Sequence, residues 1–211
     1  MPTASSSERL PRAFFVRPSL AVARDLLGRL LVRTLRDGTR LVGRLVEVEA
    51  YRQDDPASHS YRGRTARTDV MFGPPGHLYV YFTYGMHFCM NVVTGELGEG
   101  SAVLLRAVEP LVGLDLMARR RARSDPRLLC AGPARLSQSY AVTRAENGMD
   151  LAAGDDLFVS HGRPVGEARS GISARVGISV ARERRWRFFE LGSPFVSRGP
   201  RLTEEAGSPR S

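Results

Sequence analysis

Residues 77–93 are the most β-prone stretch of the chain, with aromatic and β-branched residues distributed through it, and they break once, at Tyr84-Gly85. Two strands joined by so tight a turn return antiparallel, so the fold must accommodate a hairpin here. Tyr79 and Tyr81 share one face, because side chains alternate along a strand. Tyr84 sits at the turn beside Gly85 and Met86. An aromatic side chain on a hairpin tip is badly placed for a core and well placed to insert between stacked base pairs. Phe82, Phe88 and Tyr79 are expected in the core. On the return strand Asn91 faces the same way as His87 and Cys89. A lone Asn in an apolar strand needs hydrogen-bond partners, and a base edge or a local turn would each supply them.

The rest of the chain supplies a sheet and a few helices. A helix is expected over residues 19–27, with Leu20, Ala23, Leu26 and Leu27 at helical spacing and Gly28 as its stop. Strands follow at 30–34 and 41–51, joined through Asp37-Gly38, a hairpin signal. A polar loop runs over 52–68. Another strand covers 102–108 and is stopped by Pro110. A helix with a very basic end spans 111–123, and Gly132-Pro133 opens a second over 134–141, proline being well suited to the first helical position. Short strands are expected at 157–160, 174–178 and 187–191. Residues 1–12 and 203–211 read as polar tails, and 13–202 as one mixed α/β (α+β) domain with a largely antiparallel sheet.

The strand at 41–51 carries the first candidate chemistry. Val46, Val48 and Ala50 are expected on one face, and Glu47, Glu49 and Tyr51 on the other. Carboxylates two residues apart lie roughly 7 Å from each other. If both are partly buried, each raises the other's pKa and one becomes a candidate base for water; a solvated strand face is the alternative. Arg106 is a charge inside the apolar run Val103-Leu104-Leu105-Arg106-Ala107-Val108 and needs a partner: Glu47, Glu49 or a phosphate.

Composition narrows the chemistry. The 211 residues carry 31 basic and 22 acidic side chains, a net charge of +9, which favours a polyanionic partner such as nucleic acid. All 31 basic residues are arginine, so side-chain Schiff-base chemistry is excluded; a processed Pro2 amine is the one remaining route. His59, His77, His87 and His161 show no metal-ligand spacing, and there is no C-x-x-C, H-E-x-x-H, P-loop or G-x-G-x-x-G following a strand. Cys89 and Cys130 read as two free thiols. The start has no apolar signal-peptide core and no run is long enough to span a bilayer, so a cytoplasmic protein is expected, nucleoid-associated if bacterial.

The ordered segments resemble the alkyladenine (3-methyladenine) DNA glycosylase family. They are Leu26-Leu27-Gly28, the run from Gly43 to Tyr51, His59-Ser60, Met71-Phe72, the run from Gly76 to Tyr81, Tyr84-Gly85-Met86, Phe88-Cys89-Met90-Asn91, the run from Val103 to Pro110, Cys130-Ala131-Gly132-Pro133, Arg175-Val176-Gly177 and Gly192-Ser193-Pro194. The match spans residues 14–198. The resemblance implies a curved antiparallel sheet, flanking helices and a protruding hairpin. It implies that Glu49 activates water, helped by Arg106 and by backbone of the 175–178 segment, notably Val176. A flipped base would stack between Tyr51 and the pair Tyr81 and His59. Asn91 would crowd the guanine amino group, and Tyr84 would fill the gap in the duplex. The implied partner is double-stranded DNA with damaged purines, met by a monomer with no metal, organic cofactor or membrane. Position 87 is His where relatives can carry Tyr, and the loop from Tyr51 to His59 is slightly short. A binder without catalysis would keep Tyr84 and the arginines but not need Glu49, and a carbohydrate hydrolase would use Glu47 and Glu49 as its pair.

Overall fold

The computed structural model describes residues 9–83 and 85–199. Among these residues eight antiparallel strands form one curled sheet: β1 (Leu30–Thr34), β2 (Arg40–Tyr51), β3 (Leu78–Thr83), β4 (His87–Thr94), β5 (Ser101–Val112), β6 (Leu157–Ser160), β7 (Ser170–Ser173) and β8 (Arg187–Glu190). The main path runs β3-β4-β5-β2-β1-β6. The twelve-residue strands β2 and β5 are its spine. Opposite β5, β2 pairs with β1 over its first half and with β8 at Glu47, Val48 and Glu49. The sheet therefore forks at the middle of β2, at the two glutamates.

Among the described residues four α-helices flank the sheet: α1 (Arg12–Phe15), α2 (Ser19–Leu26), α3 (Leu114–Arg121) and α4 (Pro133–Tyr140). α2 lies on β2 and β5, and α4 on β4, β5 and α3. Gly28 ends the α2 turn at φ +84°, and a Cβ there would meet the Arg163 carbonyl oxygen at 2.0 Å, so only glycine fits. The main core joins Leu26, Leu45, Val48, Ala50, Leu78, Val80, Met90, Val92, Leu105 and Val108. It takes Leu78 and Val80 from β3 and Met90 and Val92 from β4, which leaves Tyr79, Tyr81, Cys89 and Asn91 on the hairpin's other face, paired Tyr79 with Asn91 and Tyr81 with Cys89.

Several expectations need correction. β5 does not stop at Pro110. β4 accompanies it only as far as Leu104, and Pro110 lies in the stretch bordered by β2, beside a register shift at Val42/Gly43, where a residue without N–H is tolerated. α3 consequently begins at Leu114. Residues 174–178 are not a strand: β7 ends at Ser173, and the Val176 N–H goes to a side chain instead of a ladder. Strict alternation on β2 also fails. Register shifts at Leu45/Glu47 and Glu47/Val48 change parity, so Leu45 rather than Val46 joins Val48 and Ala50 in the main core. Phe82 is 45% exposed, packed on Phe88 with ring centroids 5.1 Å apart, because the hairpin outruns the core; Met86 beyond it is 70% exposed. The last residues of the expected tail 1–12 are packed: Leu10 is fully buried and Arg12 opens α1 and pairs with Asp150. Tyr84, residues 1–8 and residues 203–211 lie outside the described residues. Among the described residues no helix is long and apolar enough to cross a membrane.

Candidate active site

The polar face of β2 is buried. Glu47 and Glu49 are both fully inaccessible, and Arg106 reaches them from β5 with 5% exposure. Glu47 collects donors at both oxygens: Arg106 Nε at 2.9 Å, Arg187 Nε at 2.7 Å and Ser197 Oγ at 2.9 Å on Oε1, and the Ser197 N–H at 2.7 Å on Oε2. Burial alone would raise its pKa, but the two guanidinium charges and these hydrogen bonds outweigh it and hold it below the ordinary value.

Glu49 has a different environment. Oε1 accepts the Val176 N–H at 2.7 Å; Oε2 accepts the Tyr51 hydroxyl at 2.9 Å and lies 3.3 Å from Arg106 Nη1. Burial dominates here and raises its pKa, with the neighbouring Glu47 charge adding to it; Arg106, the Val176 N–H and Tyr51 offset only part. Burial, then the Glu49 charge, pushes the Tyr51 phenol well above its usual range, so it stays a donor. β2 thus carries one carboxylate that ionises more readily than a free side chain and, two residues on, one that ionises less readily.

Tyr51, Arg106 and Val176 line a cleft of about 480 Å³, in the range of small-molecule sites. Its walls include His59, Tyr81, Cys89 and Asn91. The His59 ring stands edge-on to Tyr81 with centroids 4.5 Å apart, and its Nδ1 is 3.0 Å from the Tyr79 hydroxyl. Desolvation among these rings, then the charge of Arg67, lowers the His59 pKa to about 4, although the residue as a whole is exposed. Neutral imidazole is the form present at pH 7. Burial, then Cys89, raises the Tyr81 phenol. Asn91 donates Nδ2 to the Tyr79 carbonyl oxygen across the hairpin at 3.1 Å, which fixes its amide at the cleft wall.

The structure therefore brings together Glu49, Arg106, Tyr51, His59, Tyr81, Asn91 and Val176. Arg106 has both of its candidate carboxylates as partners. Sequence reasoning passed over Asp55, Arg187 and Ser197. Each is buried and each completes a charge cluster with residues over a hundred positions away, so no local pattern announces it. A charged residue at the head of a short strand was the one available signal, at Arg187. Among the described residues no group of three or more His, Cys, Asp or Glu is arranged to hold a metal ion.

The family model described as Methylpurine-DNA glycosylase (MPG) matches residues 13–194. Similar proteins named "Putative 3-methyladenine DNA glycosylase" occur in Carboxydothermus hydrogenoformans, 48% identical over 189 residues, covering 90% of this chain and 98% of that one; in Methanoculleus marisnigri, 50% identical over 191 residues, with 90% and 98% covered; and in Streptomyces avermitilis, 51% identical over 199 residues, with 89% and 90% covered.

Proposed function

This chain belongs to the methylpurine-DNA glycosylase family, and from that premise we propose that it removes alkylated or deaminated purines, of the 3-methyladenine, hypoxanthine and ethenoadenine type, from duplex DNA by hydrolysis driven by Glu49. The observation that carries the reading is Glu49 itself: a fully buried carboxylate with a raised pKa, oriented by three donors, Tyr51, Arg106 and Val176, all of which line the same aromatic-walled cleft.

In this mechanism the damaged nucleotide leaves the stack and its base enters the cleft. Extrusion costs a few kcal/mol and least for a damaged or mispaired base, which selects before any chemistry. Tyr51 supplies one stacking face, and Tyr81 with His59 the other. The fixed Asn91 amide abuts the position of a guanine 2-amino group and disfavours guanine. Tyr84 takes the place of the extruded nucleotide, a role resting on its sequence position. As the C1′–N bond breaks, its electron pair leaves with the base and positive charge builds on the sugar. Glu49 stabilises that charge and takes a proton from water, whose oxygen bonds to C1′. Arg106 and the Val176 N–H keep the carboxylate in place. An N-alkylated purine is already cationic and leaves without an acid; a neutral base such as hypoxanthine needs a proton. The product is an abasic site. The reaction as written calls for no metal or organic cofactor, and the reading has the enzyme acting as a monomer.

The decisive experiment is Glu49→Gln, assayed by base release from duplexes carrying one defined lesion, with alkali cleavage of the product. Loss of a general base costs about 10²-fold or more, while binding to lesion DNA is retained. Base release at the wild-type rate would remove Glu49 from the chemistry; binding to lesion DNA without base release by the wild-type protein itself would leave a non-catalytic binder as the better reading.

A further inference from the structure

The segment after β7 carries Arg175, which is 3% exposed and unused by the mechanism above. Its Nη1 donates to the Ala50 carbonyl oxygen at 3.1 Å, between Glu49 and Tyr51. The guanidinium also forks onto Asp55, Nη1 to Oδ2 and Nη2 to Oδ1, the latter at 3.0 Å. Asp55 is fully buried, and its Oδ1 accepts the Ala57 N–H at 3.2 Å. The Arg175 guanidinium lies 4.5 Å from the Tyr51 ring centroid and 5.2 Å from that of Trp186.

These contacts meet at the cleft. Residues 56–59 form one stretch of its wall and 176–180 another. The first is turned by Asp55, and the second begins at the residue whose N–H binds Glu49. One buried ion pair ties both stretches to the β2 backbone. A forked guanidinium can make two parallel bonds and stack at the same time, and an ammonium cannot.

We propose that Arg175 is a positioning residue for base excision: by clamping both cleft walls to Asp55 and to the Ala50 carbonyl, it holds the Val176 N–H on Glu49 and the Tyr51 ring beside the base. The inference rests on the general-base reading of Glu49. Other groups near Glu49 are Arg106 on β5, Glu47 and Tyr51 on its own strand, Tyr81 on β3, Cys89 on β4, and Arg187 on β8, which is committed to Glu47. None of them replaces a backbone donor held from the 174–178 segment.

The test is single-turnover base release from a lesion duplex as a function of pH, for Arg175→Lys, Arg175→Gln and Asp55→Asn, with Glu49→Gln alongside. Thermal unfolding and the emission of Trp186, the sole tryptophan, report folding and local loosening. The Val176 N–H favours ionised Glu49, so freeing it raises the carboxyl pKa and moves the acid limb to higher pH. The expected result is a rate lowered about tenfold at neutral pH, an upward shift of that limb and weaker lesion binding, in Lys as in Gln. If the Arg175 variants do not fold, Asp55→Asn, neutral and nearly isosteric, carries the same readouts. A folded Arg175 or Asp55 variant with wild-type rate and limb overturns the clamp. Rescue by lysine also overturns it, because only charge would then be needed. Wild-type base release by Glu49→Gln overturns the general-base reading and the clamp with it.

Discussion

Glu47 and Glu49 stand two residues apart on one strand, and their surroundings drive them in opposite directions. Glu47 meets two guanidinium groups and the Ser197 N–H and hydroxyl, and ionises more readily than a free side chain. Glu49 shares only the outer part of Arg106, and burial prevails. The base role proposed for it requires ionisation, so base release is expected to fall as pH drops through its raised pKa, with the acid limb of the rate profile above 4.5; a limb below that value contradicts the assignment. For Glu47 the depressed folded value means its contribution to stability is present above the ordinary 4.5 and lost as pH falls through the folded pKa. Glu47→Gln leaves Arg187 buried without its carboxylate and costs about 3–5 kcal/mol, measured by urea unfolding at neutral pH. His59 gives an independent check: in an NMR pH series its ring titrates near 4, and a value near 6.5 would mean that the ring is not held among Tyr79, Tyr81 and Arg67 as described. At this scale the sequence exposed Glu49, Tyr51 and Arg106, since charges inside β-prone runs stand out against their neighbours. It hid Asp55 in a loop that reads as uniformly polar, and Ser197 in a segment without pattern, because their partners Arg175 and Glu47 are 120 and 150 positions away.

Among the elements, β2 has most to do: it pairs with β5 along its length and with two other strands in succession. The period-2 pattern revealed that β2, β1 and the hairpin exist, and the Asp37-Gly38 and Tyr84-Gly85 signals revealed how they connect. The bulge near Val46 and the run of β5 through Pro110 were not legible, because both depend on which strand lies alongside. The strand expected at 174–178 failed for a related reason: a β-prone segment was diverted when its backbone found a carboxylate. Where α4 crosses the spine, Gly43 allows the close approach. A Cβ at that position would stand 2.5 Å from Val108 Cγ2 and 2.7 Å from the Tyr140 hydroxyl, which itself donates to the Leu31 carbonyl. Gly43→Ala is therefore expected to cost about 1–3 kcal/mol in chemical denaturation, from overpacking. An unchanged midpoint would show that α4 can shift without penalty.

For the whole molecule, charge governs the partner. A net charge of +9 without any lysine leaves guanidinium groups to meet phosphates. Among the described residues three arginines, Arg106, Arg175 and Arg187, are buried inside the fold, so total charge overstates what DNA meets. Binding to duplex DNA, followed by fluorescence anisotropy at several salt concentrations, is expected to give a negative log–log slope, near −5 for a footprint of about six phosphates; a slope near zero would remove charge as the basis of association. The Glu47 cluster has a further bearing on how the protein is made. Its last ligand, Ser197, lies 150 positions beyond Glu47, past the end of the matched family segment at 194. A nascent chain still short of that serine on the ribosome has its cleft walls in hand but lacks the last hydrogen bonds to the carboxylate that steadies Arg106. A chain that stops just before Ser197 carries both glutamates on β2 but leaves the inner anion short of two of its donors.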